Sequence, residues 1–445
     1  MLPKVSSHPA LADESSFVGM VRLSQNEPHN KSNWAYSVLP INMAIGPIST
    51  FVQIYLLELH GSVIDIGLAT TLFNGISIPA AMIWGIATDR FHRRKAIVVI
   101  SYSAVAVTSF LFLFSKTIES VDVLYAIFSF VSSAAATPIN LLIMETERKS
   151  KWTSAFAAFS MISSVGVTLG MLLGVVWGDF LPLYLLAIPF AILSAQSALM
   201  AAVMIPEAHI GFEREIIVMV RRSFYERLRV LPMLFLKVPR AVDFRKVFNS
   251  VRFDLTRDPF LLYSSIVLFY FAAGIFNTSL IPSMYQAGIT NSQIFLVFLV
   301  GMIIQTISFN FVAPRVEKRS LKGTATRGLV LRGVSYVLIG LSAYVLTGVF
   351  YLGSSLLLYP LAAGIAYAEY YAASNVMVFN NLGVSHQGSM LGVYSALVGL
   401  ATMVGSFISG FVSFYLGYFV TFAMSGILVI FAAALTAMMV VDQNS

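Results

Sequence analysis

The feature that most constrains this chain is a series of twelve apolar runs, each near the roughly 20 residues with which an α-helix crosses hydrocarbon. Backbone inside a bilayer must satisfy its own hydrogen bonds, so these runs predict helices. Only 11% of the residues are charged, against about 25% in a typical soluble domain. The sequence therefore predicts an all-α membrane protein with twelve transmembrane helices, at residues 34–58, 64–87, 96–115, 122–144, 153–177, 181–205, 259–286, 291–313, 328–349, 353–380, 388–413 and 415–440.

The lysine and arginine residues predict an orientation. With the N-terminus in the cytoplasm, all 28 except Lys116 fall in a cytoplasmic tail, a cytoplasmic loop or a helix end. Arg332 belongs at the start of the ninth helix in this assignment. Cytoplasmic loops are enriched in basic residues, so we expect a multi-pass plasma-membrane protein with both termini in the cytoplasm. The same placement accounts for the net charge of +7 without nucleic-acid binding.

These assignments divide the chain into five segments. The tail has no apolar stretch of the kind found in signal peptides, so we expect no cleavable signal peptide there. The linker fits either an amphipathic helix on the inner membrane surface or a solvated tether. The segments are a cytoplasmic N-terminal tail at 1–33, an N-terminal six-helix bundle at 34–205, a cytoplasmic basic linker at 206–258, a C-terminal six-helix bundle at 259–440 and a C-terminal tail at 441–445.

An internal repeat relates the two bundles. A shift of 235 residues places 153–159 on 388–394, Asn140 on Asn375 and Gly170 on Gly405. Self-similarity at a fixed shift is the sequence signature of repeated architecture.

A short motif joins the second and third runs, and Gly85 is expected to allow close helix approach there. Three adjacent cations in this motif are too costly for hydrocarbon and suit an anionic inner leaflet. The residues are Gly85, Asp89, Arg90, Arg93, Arg94 and Lys95. Their spacing resembles the Gly-x-x-x-Asp-Arg-x-x-Arg-Arg/Lys signature of the major facilitator superfamily. That resemblance implies two six-helix bundles related by pseudo-two-fold symmetry, which rock about a site near the bilayer midplane.

The resemblance also implies that the motif acts as a gate latch when the cytoplasmic side is closed. Its expected acidic partner is Glu145, at the inner end of the fourth helix. A weaker copy of the motif lies at 317–322 in the second bundle, and its expected partner is Asn380 in place of an acidic residue. We therefore expect a second latch there that is weaker than the first. The alternative is that Asp89 only caps a helix and the basic cluster only follows the positive-inside rule.

The fifth helix carries Gly166, Gly170, Gly174 and Gly178 at a strict four-residue spacing. Such a stripe lets another helix pack closely. It resembles part of the glycine-rich signature of drug:proton antiporters, although Met171 replaces the expected proline. The stripe slightly favours efflux.

Glu369 is the one acidic residue placed well inside a predicted span. An ionisable group at such depth is expensive, and its presence favours function. We expect it to carry a proton or to balance a cationic substrate; the alternative is a protonated carboxyl bonded to a neighbouring helix. No lysine or arginine is assigned to a span interior, which favours neutral or cationic solutes over anions.

Neutral polar residues mark the rest of the expected cavity, and Gly46-Pro47 predicts a kink in the first helix. Each polar residue could instead only bond neighbouring helices. The cavity candidates are Asn42, Gln53, Asn140, Tyr270, Asn277, Tyr370 and Asn375.

Together these features predict a secondary active transporter that works by alternating access. We expect it to be proton-coupled and to move a small neutral or cationic organic solute, with efflux slightly favoured. The alternatives are an uptake carrier for a sugar or amino acid, or a non-transporting membrane sensor. No metal or nucleophile–base cluster appears in the spans, so we expect no enzyme and no cofactor. The expected partners are the solute, protons and the lipid bilayer, with no nucleic acid, and the expected state is a monomer.

Overall fold

The computed structural model describes residues 33–91, 93–146, 152–205, 257–316, 320–381 and 387–439. The predicted C-terminal tail, and nearly all of the predicted N-terminal tail and linker, lie outside these ranges. The described residues from Trp34 onward form one compact unit.

The described residues are all-helical, and the helices follow the predicted runs closely. Helix α10 consists of three consecutive segments, Gly348–Tyr359, Pro360–Ala366 and Tyr367–Asn381, of which the middle one is a π-helix. The others are α1 (Trp34–Glu58), α2 (Val63–Phe91), α3 (Arg94–Phe114), α4 (Ile118–Met144), α5 (Trp152–Trp177), α6 (Leu183–Met204), α7 (Arg257–Gln286), α8 (Asn291–Val316), α9 (Leu321–Val345), α11 (387–416) and α12 (418–437).

The predicted twelve-helix fold is confirmed once one backbone break is taken into account. Within the described ranges, 11 helical segments are long and apolar enough to cross a membrane. The last of these continues through Gly417, whose φ of 81° is non-helical. Glycine adopts a positive φ at little cost, so Gly417 separates α11 from α12.

Two helices are interrupted at proline. In α1, the regular helix ends at Ile45 and restarts at Ile48, where the sequence predicts a kink at Gly46-Pro47. In α10, the π-helical segment begins at Pro360. Proline lacks a backbone N–H and disturbs the preceding turn, so both sites are natural places for a change in helix geometry.

The internal repeat is visible in the packing of α1 on α5 and of α7 on α11. A Cβ atom added at Gly170 would collide with the carbonyl oxygen of Met43, and one at Gly405 would collide with that of Phe271. Gly46 likewise packs on Val167, and Gly274 packs on Thr402. Adding 228 to the residue numbers on α1 gives the matching residues on α7, and adding 235 to those on α5 gives the matching residues on α11. Each contact in the first half therefore has a counterpart in the second. The two halves therefore repeat the same helix pairing at individual residues.

Each half also has an aromatic core. In the first, Phe51 meets Phe112 and Phe190 at ring-centroid distances of 5.8 and 5.7 Å. In the second, Phe276 stacks on Tyr336 at 3.6 Å. These rings are fully buried and lie between helices that are distant in sequence.

Among the described residues, Gly85 makes none of the close helix contacts that the sequence predicts for it. A Cβ atom added there would meet no other described residue within 4 Å. The residue lies near the end of α2, where that helix faces open space among the described residues.

These contacts predict which glycines tolerate a methyl group. Gly170→Ala and Gly405→Ala should each destabilise the protein by about 1–3 kcal/mol, because the added carbon has to displace a backbone carbonyl. Gly85→Ala is the matched control and should be neutral or slightly stabilising, because alanine favours a helix. Thermal unfolding in detergent measures the difference. Equal unfolding temperatures for the three variants would contradict the packing described here.

Candidate functional site

The two sides of the membrane are distinguished here by charge. The basic side is where α2 ends and α3 begins, near Arg93; the opposite side is where α1 ends and α2 begins, near Gly61. Successive helices alternate in direction, so α5 ends and α8 begins on the opposite side.

The two halves touch on the opposite side. Asn291, which starts α8, donates a hydrogen bond to Glu58 at the end of α1 over 2.8 Å. The neighbouring Ser292 donates to the carbonyl of Val175 in α5 over 2.5 Å. These bonds join the first residues of the second-half helix to the last residues of two first-half helices.

A second line of contact runs between α2 and α11. A Cβ atom at Gly67 would lie 3.0 Å from the Cα of Gly410, so the two backbones are in direct contact. Deeper along the same pair, Gly75 packs on Met403 and Gly399 packs on Ile78. Ile78 lies roughly 22 Å along α2 from Val63 at about 1.5 Å per residue. This seam therefore extends from the opposite side to about the middle of the membrane.

The glycine stripe of α5 serves both kinds of contact. Gly166 and Gly170 pack on α1 in the same half. Gly174 packs on Phe295 of α8, where an added Cβ would lie 2.5 Å from the ring, and Gly178 packs on Ser292. The stripe thus changes from packing within the first half to packing between halves as it approaches the opposite side.

Glu369 is buried between α10 and α9. Its Oε2 lies 3.6 Å from Nε of Arg327, whose side chain is 64% exposed. A Cβ added at Gly328 would lie 3.2 Å from the Glu369 Cβ, so α9 packs directly on this face of α10. Residues two apart on an α-helix point about 200° apart, so Tyr367 and Tyr371 lie on the other face of α10. Glu369 therefore faces the neighbouring helix of its own half.

The expectation that no basic residue lies inside a span is wrong, because Arg332 is buried within α9. It is 5% exposed and follows Leu321 by eleven residues, roughly 17 Å along the axis. The apolar run suggested a helix start at 328, but the helix begins at Leu321. Ser320 caps it by accepting a hydrogen bond from the Gly323 N–H over 3.0 Å.

The Arg332 guanidinium is held by aromatic groups. Its Nε donates to the Tyr336 hydroxyl over 2.6 Å, and a terminal nitrogen reaches the Ala362 carbonyl at 3.4 Å. The charge also lies 4.9, 5.2 and 5.3 Å from the ring centroids of Phe269, Tyr336 and Tyr367. Arginine over aromatic faces is a favourable cation–π arrangement, strongest where water is excluded.

The cavity candidates of the first half differ in their surroundings. Asn42 donates to the Val38 carbonyl of its own helix and lies beside Gly166 of α5. Gln53 is buried and donates to Ser49, while its carbonyl oxygen has no hydrogen-bond partner among the described residues. Asn140 is exposed.

In the second half, Tyr270 is half-buried and Asn277 is exposed, both on α7. Asn375 is partly exposed and donates to the Tyr371 carbonyl. Tyr370 differs from the other second-half candidates, because it is buried and its ring lies 4.1 Å from that of Phe269. The structure therefore places Tyr370 in the packed interior of its half.

A sequence model of the Major Facilitator Superfamily matches residues 35–355. The chain belongs to the major facilitator superfamily. No curated protein matches it.

Solved structures similar to this superfamily member are transporters. A mutant form of the nucleoside transporter NupG has a TM-score of 0.68 at 15% identity, covering 92% of this chain and 98% of that one. The human organic anion transporter MFSD10 (TETRAN) has a TM-score of 0.58 at 17% identity, covering 92% and 100%. A bacterial homologue of the human lysosomal transporter Spinster, inward-facing and occupied, has a TM-score of 0.63 at 13% identity, covering 96% and 97%. At these identities the likeness shows the fold.

The superfamily motif is described only in part. Arg93 is exposed and precedes α3, and Arg94 is half-buried. The side chains of Asp89, Arg90 and Glu145 lie outside the described part of the chain, so the latch remains a prediction. The same holds for residues 317–319 of the weaker copy and for the side chain of Asn380. Lys322, the last residue of that copy, donates to the Met439 carbonyl after α12.

Arg332 is the residue that the sequence interpretation misplaced, and Arg327 is the partner of Glu369 that it did not identify. A signal was present, because Ser320 is an N-cap residue type and lies directly before an amphipathic stretch. Starting α9 there would have put Arg332 three turns inside the helix.

Proposed function

We propose that this superfamily member is a secondary active transporter that works by alternating access. The observation that carries the proposal is the seam between the halves, which runs from the opposite side to about mid-membrane. Toward the basic side, α4 and α10 carry the exposed residues Asn140 and Tyr371. If the basic side is cytoplasmic, as its arginines suggest, this state opens inward. The Spinster homologue named above is also inward-facing.

We assign the coupling step to the Glu369–Arg327 pair. A buried carboxylate that is paired with a cation changes its contacts when it takes up a proton. Because Glu369 and Arg327 lie on different helices, protonation would loosen α10 from α9. Proton binding would therefore change how α10 packs on α9. Proton-coupled transport requires such a link between protonation and conformation.

The proposed cargo is a small organic solute. The sequence-based preference for neutral or cationic solutes depended on an absence of buried cations, and Arg332 removes that argument. The preference for efflux depended on the glycine stripe, and the close contacts of these glycines with α1 and α8 account for the stripe by packing. An uptake carrier for sugars or amino acids therefore stays open as an alternative. A monomer in the plasma membrane, with both termini in the cytoplasm, completes the proposal.

Proton coupling through Glu369 predicts a clear loss on mutation. In liposomes with an entrapped pH-sensitive dye, a transported solute should move protons, and Glu369→Gln should abolish that movement while retaining solute binding. Glutamine keeps the shape and loses the titratable group. The screen would cover sugars, amino acids, ammonium compounds and aromatic carboxylates.

Arg327→Gln is the matched variant, since it removes the partner and keeps the carboxyl. It should displace the pH midpoint of transport and preserve proton movement. Solute-driven proton movement that is unchanged in Glu369→Gln would exclude this coupling role. Solute binding without any flux would identify a non-transporting sensor instead.

The latch at the motif predicts a kinetic effect. Asp89→Ala and Arg93→Ala should slow exchange by about 5- to 150-fold, the range of a coupling free energy of 1–3 kcal/mol, and change solute affinity far less. The latch stabilises one conformation and does not contact the solute. Exchange rate in liposomes and equilibrium binding in detergent separate the two effects. Weakened binding with normal exchange would show that the latch assignment is wrong.

A further inference from the structure

A stack of aromatic rings reaches from the interior of the second half to an exposed surface. Phe269 and Tyr367 are nearly parallel, with centroids 6.4 Å apart and planes 21° apart. Tyr367 and Tyr371 continue the stack at 5.3 Å and 28°. Tyr371 is 39% exposed, whereas Phe269 is fully buried. The stack therefore ends on a ring with an uncovered surface.

Other tyrosines converge on the same place. Tyr270 of α7 and Tyr394 of α11 are half-buried, and their side chains lie close enough to each other and to Tyr367 and Tyr371 to interact electrostatically. Measured from the basic-side helix ends, Tyr394 lies roughly 10 Å deep and Tyr270 roughly 20 Å deep at about 1.5 Å per residue. Hydroxyl groups from three helices therefore surround one region in the basic half of the membrane.

The charge behind this wall is positive. Arg332 lies 5.3 Å from the Tyr367 centroid, on a ring of the same stack. Within the described part of the chain its contacts are a hydroxyl, a carbonyl and ring faces, and no carboxylate is among them. Glu369 lies on the other face of α10 and is paired with Arg327. The field of Arg332 is weakly screened there, because the surroundings are apolar.

We propose that the Tyr371 end of this stack binds the ring of a planar aromatic solute that carries a carboxylate. The solute ring continues the Phe269–Tyr367–Tyr371 stack. The surrounding tyrosine hydroxyls donate to its carboxylate, and Arg332 stabilises the negative charge from behind the rings. This assignment rests on the proposed transport function and names its substrate class. A cation at the same place would be repelled by Arg332, and a puckered ring would stack poorly.

The first test compares three probes on the purified full chain in detergent, by equilibrium binding and ligand-induced thermal stabilisation. Phenylacetate should bind best. Cyclohexylacetate, which has the same charge and no flat ring, should bind about three- to tenfold more weakly. The 2-phenylethylammonium ion, which keeps the ring and reverses the charge, should bind at least about tenfold more weakly. Equal binding of phenylacetate and cyclohexylacetate, or a preference for the ammonium ion, would overturn the proposal.

The second test locates the site. Tyr371→Leu should reduce phenylacetate affinity to that of cyclohexylacetate, and Tyr371→Phe should retain the ring preference. Tyr344→Leu replaces an exposed tyrosine of α9 outside the cluster and should leave binding unchanged. Arg332→Gln should abolish the preference for the anion, whereas Arg332→Lys should keep it. Arg332 is buried, so Arg332→Gln could fail to fold. In that case the variants of the exposed Tyr371 decide whether phenylacetate binds at this site.

The entrapped-dye assay separates this inference from the transport proposal. If phenylacetate binds through Tyr371 and no solute moves protons, the site stands and proton-coupled transport fails. If sugars or amino acids move protons while phenylacetate does not bind, transport stands and this substrate class is wrong.

Discussion

The structure depends on direct contact between helix backbones at a few glycine positions. Lipid chains are as apolar as the helices, so helix association in the membrane relies on close packing and interhelical hydrogen bonds. Gly170 against Met43 and Gly405 against Phe271 provide that packing within each half. Farther along the same helices, Gly174 and Gly410 contact the other half. The helices that hold each half together are thus also those on which the halves meet.

The two buried residues of acidic or basic type among those described, Glu369 and Arg332, are accommodated in different ways. Glu369 has a cationic partner on the next helix, and breaking that pair requires only a proton. Arg332 cannot lose its charge, because the guanidinium stays protonated in proteins. Its contacts include the carbonyl of Ala362, within the π-helical segment of α10, and three aromatic rings. We interpret Glu369 as the charge that protonation can switch and Arg332 as the permanent one.

The features that the sequence predicts well are local or periodic. The apolar runs, the break at Gly46-Pro47 and the 235-residue repeat all depend on residues close together or on a regular shift. The sequence predicts the start of α9 too late, because Lys322 and Arg327 lie in its first two turns and a hydropathy criterion excludes them. The surroundings of Gly85 and Tyr370 were also beyond prediction, because they depend on which distant helix lies opposite. The direction in which the Glu369 side chain points could not be predicted either, because it depends on how α9 packs on α10.

The most direct test of the central claim, that the halves alternate about the seam, is a pair of distance measurements across them. The chain has no cysteine, so introduced cysteines can be spin-labelled selectively. Met144→Cys with Val376→Cys reports on the basic side, and Phe180→Cys with Val349→Cys reports on the opposite side; all four positions are exposed. Alternation predicts two populations for each pair, and a change of pH in liposomes should lengthen one distance while it shortens the other. A single, unchanging distance for both pairs would contradict it.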